Sequence, residues 1–290
     1  MSSINKSDSI MLNSDEYKIF ILSVSSKSIN TQKSYNVQYK KLYNLVVTPE
    51  IHSNSEKTLI AIAEAQPNAN SQQAILNMGV LVRRLYDLPV DKLLKFRDSN
   101  KIKLQEHVKE SNKYLTNLPT LKELHDFTDH LYDTKEYLDY AINYLLLEFN
   151  VRNADLAIEI VTKKRDASNK MINYLWLSPK KIVYIRNNYK TVASYGQKEH
   201  VIIDKKFTLA IKFLLKCQIK NESNKLCFFP NMEQAGYVVK KASYQQLGSS
   251  TYFKIAVDTH RNDLQKIKQM GINRGTATDT IADNYDINNL

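Results

Sequence analysis

Residues 181–206 hold the side chains best suited to a chemical task. Lys181, Arg186, Lys190, Lys198, Lys205 and Lys206 stand there against only Glu199 and Asp204. Residues 181–186 and 199–204 each alternate and are rich in β-branched and aromatic side chains. They read as a hairpin with a long basic tip over 187–198 and Gly196 in its turn. A ribbon carrying cations can lie against phosphates or enter a groove. The competing reading is a solvated hairpin whose lysines protect an exposed sheet edge. Metal and disulfide chemistry find no support. Cys217 and Cys227 have nine residues between them, which fits no zinc spacing, and the six histidines form no ligand cluster.

The whole chain shares the hairpin's charge. Lys+Arg is 41 against 30 Asp+Glu, a formal net charge of +11. Such a surplus favours a polyanionic partner, nucleic acid ahead of a membrane surface, with a merely basic soluble protein as the alternative. Lysine outnumbers arginine 33 to 8 and asparagine occurs 27 times, which reads as the coding bias of an AT-rich genome. That bias reports a source of low GC content rather than a function. No run approaches about 18 apolar residues, so no membrane span is expected. Residues 1–16 lack the apolar centre of a signal peptide. A reducing compartment inside the cell, nucleus or cytoplasm, is the expected location.

The elements that must position these residues fall into two groups. With 290 residues and 43% hydrophobic content, the chain can bury about two domain cores without disulfides. Residues 1–14 read as a disordered tail. Ser28 and Thr31 precede a helix with Tyr35, Tyr39, Leu42 and Val46 on one face, ended by Pro49, while Lys33, Lys40 and Lys41 sit off that stripe. A short apolar piece covers 58–65. A helix over 72–86 turns Ile75, Met78, Val82 and Leu85 inward and carries Arg83 and Arg84 at its end; another follows Pro89 and Val90. Residues 15–115 thus form a helical module of three to five helices, and 116–290 a second domain, the polar stretch 110–119 lying between. Helices resume at 120–132 and 135–149, the latter a core helix with Leu138, Ala141, Ile142, Leu145, Leu146 and Phe149. After the hairpin come an amphipathic helix at 207–218, an irregular stretch at 219–235, and helices near 250–270 and 276–285. The fold class is mainly α with a small antiparallel sheet (α+β).

Three motifs in order resemble the tyrosine recombinase (phage integrase) family. They are Arg152-Asn-Ala-Asp155-Leu156 after the core helix, Lys190-Thr-Val-Ala-Ser194 on the hairpin, and Gly275-Thr276 followed by Tyr285 nine residues after Thr276. The resemblance is clearer over 120–290 than over 28–115. It implies that Arg152 is the first catalytic arginine, able to fork two N–H donors to a phosphate, and that Asp155 supports it. It makes Lys190, in preference to Lys198, the lysine that protonates the departing 5′ oxygen. Tyr285 becomes the nucleophile. The family's His-x-x-Arg-His segment falls on 251–255, where Thr251 and Lys254 stand in place of histidine and the second arginine. Either Lys254 substitutes, or Arg261, two turns further along the expected helix, or Arg274 reaches the phosphate. Lysine cannot make the bidentate fork, so the exchange is not conservative. Thr276 stands where the family has histidine or tryptophan.

The resemblance implies a helical core-binding module followed by a catalytic domain, closing as a clamp round double-stranded DNA. Lys33, Lys40, Lys41, Arg83, Arg84, Arg186 and Lys198 are the expected DNA contacts. The implied reaction is strand cleavage and rejoining through a 3′-phosphotyrosine, serving integration, excision or resolution, with no metal or other cofactor and with protomers assembling on DNA; with the low-GC composition, the expected source is a mobile element or a large DNA virus. Three rivals remain: a DNA-binding relative without full catalytic strength, favoured by Lys254 and Thr276; a type IB topoisomerase-like enzyme; and an unrelated helical nucleic-acid-binding protein.

Overall fold

The computed structural model describes residues 6–27, 29–46, 48, 50–113 and 117–285. Ser28 and Pro49, which the sequence reading places at the ends of one helix, lie outside them. The chain divides into two compact units, Met1–Val108 and Lys109–Leu290. Among the described residues no helix is long and apolar enough to cross a membrane.

The first unit is helical: α1 (Lys6–Asn13), α2 (Asp15–Val24), α3 (Ile29–Tyr43), α4 (Glu56–Glu64), α5 (Ala69–Leu85) and most of α6 (Asp91–Lys113), whose residues 109–113 fall in the second unit. Short polar side chains start three of them: Ser14, Ser55 and Asn68 accept from the backbone N–H of Tyr17, Thr58 and Ser71. Each satisfies a donor that the first turn leaves without an intrahelical partner. Tyr39 and Leu42 of α3 and Ile75, Met78 and Val82 of α5 are buried in one core with Phe20, Ile51, Leu59 and Leu76. The expectation of a disordered tail over 1–14 is corrected for 6–13, which are helical. Met11 is buried in the same core, and its carbonyl accepts from the Ser14 hydroxyl. Helix α2 escaped the apolar pattern because one of its buried positions is a carboxylate: Glu16, Phe20 and Val24 recur at steps of four.

The second unit opens with α7 (Leu121–Asp133) and the core helix α8 (Tyr137–Phe149). A capping box between Thr120 and Glu123 starts α7. A four-stranded sheet follows in the order β1 (Ile158–Val161), β2 (Asn173–Leu177), β3 (Ile182–Arg186), β4 (Lys198–Ile202). The β3–β4 hairpin is antiparallel, pairing Arg186 with Lys198, and a single helical turn, α9 (Val192–Tyr195), sits in its tip. The sheet is mixed, because β1 runs parallel to β2. Both strands are short, and three consecutive residues of each are buried, so neither shows the alternation that marks a half-exposed strand. Side chains nevertheless divide by parity. Ile158, Ile160, Leu175, Ile182 and Tyr184 join the main helical core, while Tyr174, Val183 and Ile185 form a second, smaller core on the other face.

Helices α10 (Lys205–Cys217), α11 (Ala235–Ala242), α12 (Gly248–Thr259), α13 (Leu264–Arg274) and α14 (Thr278–Tyr285) complete the unit. The single helix expected near 250–270 is two. Helix α12 ends at Thr259, and Asp263 restarts the chain by accepting from the N–H of Lys266 at 2.9 Å.

Candidate active site

Residues far apart in sequence meet at the turn between α13 and α14. Asn150 ends α8 in the left-handed region (φ 52°), two residues before Arg152. Asp155 Oδ2 accepts from the Arg152 backbone N–H at 3.1 Å. The Arg152 guanidinium, half-buried, donates through Nη1 to the Arg274 carbonyl at 2.6 Å. Its Nη2 donates to the Gly275 carbonyl at 3.3 Å and to Thr276 Oγ1 at 3.0 Å. The grip is reciprocal: Arg274 Nη1 donates to the carbonyls of Asn150 and Val151 at 3.0 and 3.2 Å.

The hairpin adds two more cations. Arg186 continues the parity of Ile182 and Tyr184, so it points into the main core and is fully buried. It forms an ion pair with Asp155, donates to the Asn273 carbonyl, and lies 4.5 Å from the centre of the Tyr189 ring. Lys198 Nζ donates to the carbonyls of Ile272 and Asn273, the second at 3.2 Å, and faces the rings of Tyr189 and Tyr195. Thr191 Oγ1 donates to the Gly275 carbonyl at 2.7 Å. Four consecutive carbonyls, 272 to 275, therefore receive side-chain donors. These lie at the end of α13, where helical carbonyls lack intrahelical partners and the helix dipole is negative. The close approach explains Gly275. Its φ is +70°, and a Cβ there would collide with Thr191 Oγ1 and come within 2.9 Å of Tyr189 Cε2.

Tyr285 ends α14 beside this cluster. Its ring meets Phe253 edge-on at 4.8 Å, and the Arg274 guanidinium lies 5.3 Å from the ring centre and 4.4 Å from that of Phe253. Burial pulls the Arg274 pKa below its ordinary value; the charge and hydrogen bonding of Tyr285 oppose that, while Arg152 adds to it. Burial also lowers Lys254, again opposed by Tyr285. Lys198 drops to about 8, first through burial and then through repulsion from Arg186 and Arg152, partly offset by Asp155. Asp155 thus pairs directly with Arg186 and acts on Lys198 and Arg274 from further away. The Nε donors of Arg186 and Arg274 are buried and have no hydrogen-bond partner among the described residues.

Of the residues singled out in the sequence, the structure brings together Arg152, Asp155, Arg186, Lys198, Arg274, Thr276 and Tyr285, with Lys254 against the last. Four expectations change. Arg261 lies past the end of α12, exposed in the turn, so it does not share a helix face with Lys254. Arg186 is no surface contact for DNA: its strand parity drives it inward to Asp155. Arg83 is buried too, donating through Nε to the Pro89 carbonyl at 2.9 Å and through Nη1 to the Asn54 carbonyl at 2.6 Å. Lys190 is exposed in the turn before α9, and it is Lys198 that enters the cluster. Lys33, Lys40, Lys41 and Arg84 are exposed on the first unit. Sequence reasoning missed Arg186 as a member of the site, although the alternation from Ile182 already placed it on the inner face. It also missed the main-chain carbonyls, for which no sequence signal exists.

Comparison with known proteins identifies no relative: no family model, curated protein or solved structure matches the chain.

Proposed function

We propose that the protein is a DNA strand transferase of the tyrosine recombinase kind, using Tyr285 as nucleophile. The observation that carries this reading is the contact of Arg152 with Thr276 and of Arg274 with the Tyr285 ring. Arg152, Thr276 and Tyr285, chosen for their motif order, lie in one cationic site, Arg152 more than 120 positions from the other two. The Tyr285 hydroxyl oxygen attacks a backbone phosphorus, its proton leaving to solvent, and forms a 3′-phosphotyrosine as the bond to the 5′ oxygen breaks. Lys198 supplies the proton that this oxygen takes up. Arg152 holds the nonbridging oxygens, while buried Arg274 and Arg186 supply fixed positive charge without reorganising. A second 5′-hydroxyl reverses the step on another strand. The further parts of the reading are a DNA-contacting first unit through Lys33, Lys40, Lys41 and Arg84, assembly of protomers on DNA, and service to a mobile element or virus.

A DNA-binding relative without cleavage is the second reading. It is favoured by the main-chain carbonyls at 272–275, which already take the donors a phosphate needs. Covalent trapping separates the two. The protein is incubated with a random library of nicked duplexes that lose the cleaved fragment, and SDS-stable adducts are counted. Adducts in the wild type that vanish in Tyr285→Phe are expected. Tight DNA binding with no adduct in either protein overturns the enzymatic reading in favour of the second.

A further inference from the structure

The connection from β1 to β2 does more than cross the sheet. Because the two strands are parallel, residues 162–172 must run back from the far end of β1 to the start of β2. They do so across the sheet face that carries the smaller core, where Ala167 and Ile172 pack beside Val161 and Trp176. The strap is fastened at its return end. Asn187 Nδ2 donates to the Asn169 carbonyl at 3.2 Å, Asn188 Nδ2 to the Met171 carbonyl at 2.8 Å, and Asn173 Nδ2 back to the Asn188 carbonyl at 2.8 Å. At the other end Lys164 lies over the Trp176 ring at 5.5 Å and pairs with Glu199 at 3.6 Å.

Covering a sheet face requires only the inward residues. Lys163, Arg165 and Lys170 are exposed and take no part in that cover, and Lys164 is exposed beyond its contact with Trp176; the strap sets only Asp166 against them. Their ion pairs are weak: Arg165 to Asp166 is 3.9 Å and Lys164 to Glu199 3.6 Å, with the side chains exposed. A flexible lysine loop would lose entropy on binding, whereas this strap is already held in place. Its fastened end is tied to Asn187 and Asn188, just before Tyr189 and Lys190 and next to the cluster around Arg152. We propose that residues 162–171 form a phosphate-contact surface for duplex DNA, seating the backbone that flanks the phosphate at the Tyr285 site. The proposal rests on the DNA reading of that site, and its continuity with those cations favours duplex DNA over an acidic lipid surface.

The test measures binding of a labelled random-sequence duplex over a series of salt concentrations. Wild type is compared with Lys163→Gln, Lys164→Gln, Arg165→Gln and Lys170→Gln combined, and with the three lysines changed to arginine. Each lost phosphate contact lowers the slope of log affinity against log salt by about 0.9. The glutamine variant is expected to lose roughly 2 to 4 from the slope, with unchanged circular dichroism, and the arginine variant to keep it. An unchanged slope in the glutamine variant overturns the proposal. So does a loss confined to binding of vesicles of phosphatidylserine and phosphatidylcholine. Adduct formation distinguishes the two readings. Adducts with an unaffected slope sink the strap alone, and a strap-dependent slope without adducts sinks the enzymatic reading alone. No duplex binding even at low salt overturns both.

Discussion

Each unit buries an arginine and a carboxylate, and the two arrangements differ in balance. In the first unit Glu16 accepts from the Tyr39 hydroxyl at 2.9 Å and from the backbone N–H of Ile51 and His52 at 3.0 and 3.1 Å, with the His52 ring as a further partner. Arg83 spends its donors on the carbonyls of Pro89, His52 and Asn54. One anion and one cation each find main-chain partners, and the result staples the 50–54 segment and the chain after α5 to the helices. In the second unit Arg186 alone pairs with the single carboxylate, Asp155, while Arg152, Arg274 and Lys198 lie nearby without a carboxylate of their own, and two buried Nε donors lack a partner among the described residues. Positive charge held in excess, away from water, costs stability. The first cluster is explained by folding alone, whereas the second holds more positive charge than its one carboxylate offsets.

The sharpest way to break this contrast is Arg186→Met. It strands Asp155 in the interior, and removing one partner of a buried pair costs about 3–5 kcal/mol. Trp176 is the chain's single tryptophan and lies in β2, so its fluorescence follows unfolding of the second unit. The denaturation midpoint there should fall steeply. A fall no larger than that of a surface substitution removes the claim that this pair holds the site. Arg83→Ala should cost less, about 1–3 kcal/mol for stranded carbonyl acceptors. The loss should appear as an earlier helical transition in circular dichroism while Tyr285 adducts still form at the wild-type rate. A matching loss of adducts would mean that the first cluster also serves the reaction.

The smallest effect sharpens the role of Lys198. The proposed proton donation requires Lys198 in its charged form, and burial draws its pKa down to about 8. Adduct formation should therefore fall as pH rises through about 8, losing roughly tenfold per unit beyond it, about 1.4 kcal/mol each. Lys198→Met should remove this limb and Lys190→Met should leave it; the reverse outcome returns the role to Lys190. The same lowered pKa acts on stability in the opposite sense. Between about 8 and the ordinary lysine range the unfolded chain binds more protons than the folded one, so stability rises with pH across that window.

The helical elements were the most legible. Tyr39 and Leu42, and Ile75, Met78 and Val82, recur at helical spacing because one face must be buried, and they are buried. Helix α2 was hidden by Glu16, a carboxylate in a core position. Strands β1 and β2 were hidden because burial on both faces erases alternation. At the site, motif order singled out Arg152, Thr276 and Tyr285, whereas the choice between Lys190 and Lys198 turned on the hairpin register. That register pairs Arg186 with Lys198 and leaves Lys190 exposed in the turn beyond the strands.

The sequence by itself determined the class of fold and the side-chain chemistry available, because periodicity and residue type are local properties. The tertiary structure alone decided how that chemistry is spent. The turn after α13 brings four carbonyls against cations from three other segments, and it can do so only where a glycine at φ +70° leaves room for Thr191 and Tyr189. Whether an arginine is a staple, a buried field or a reaching donor depends on what surrounds it, and those neighbours lie up to 124 residues away along the chain.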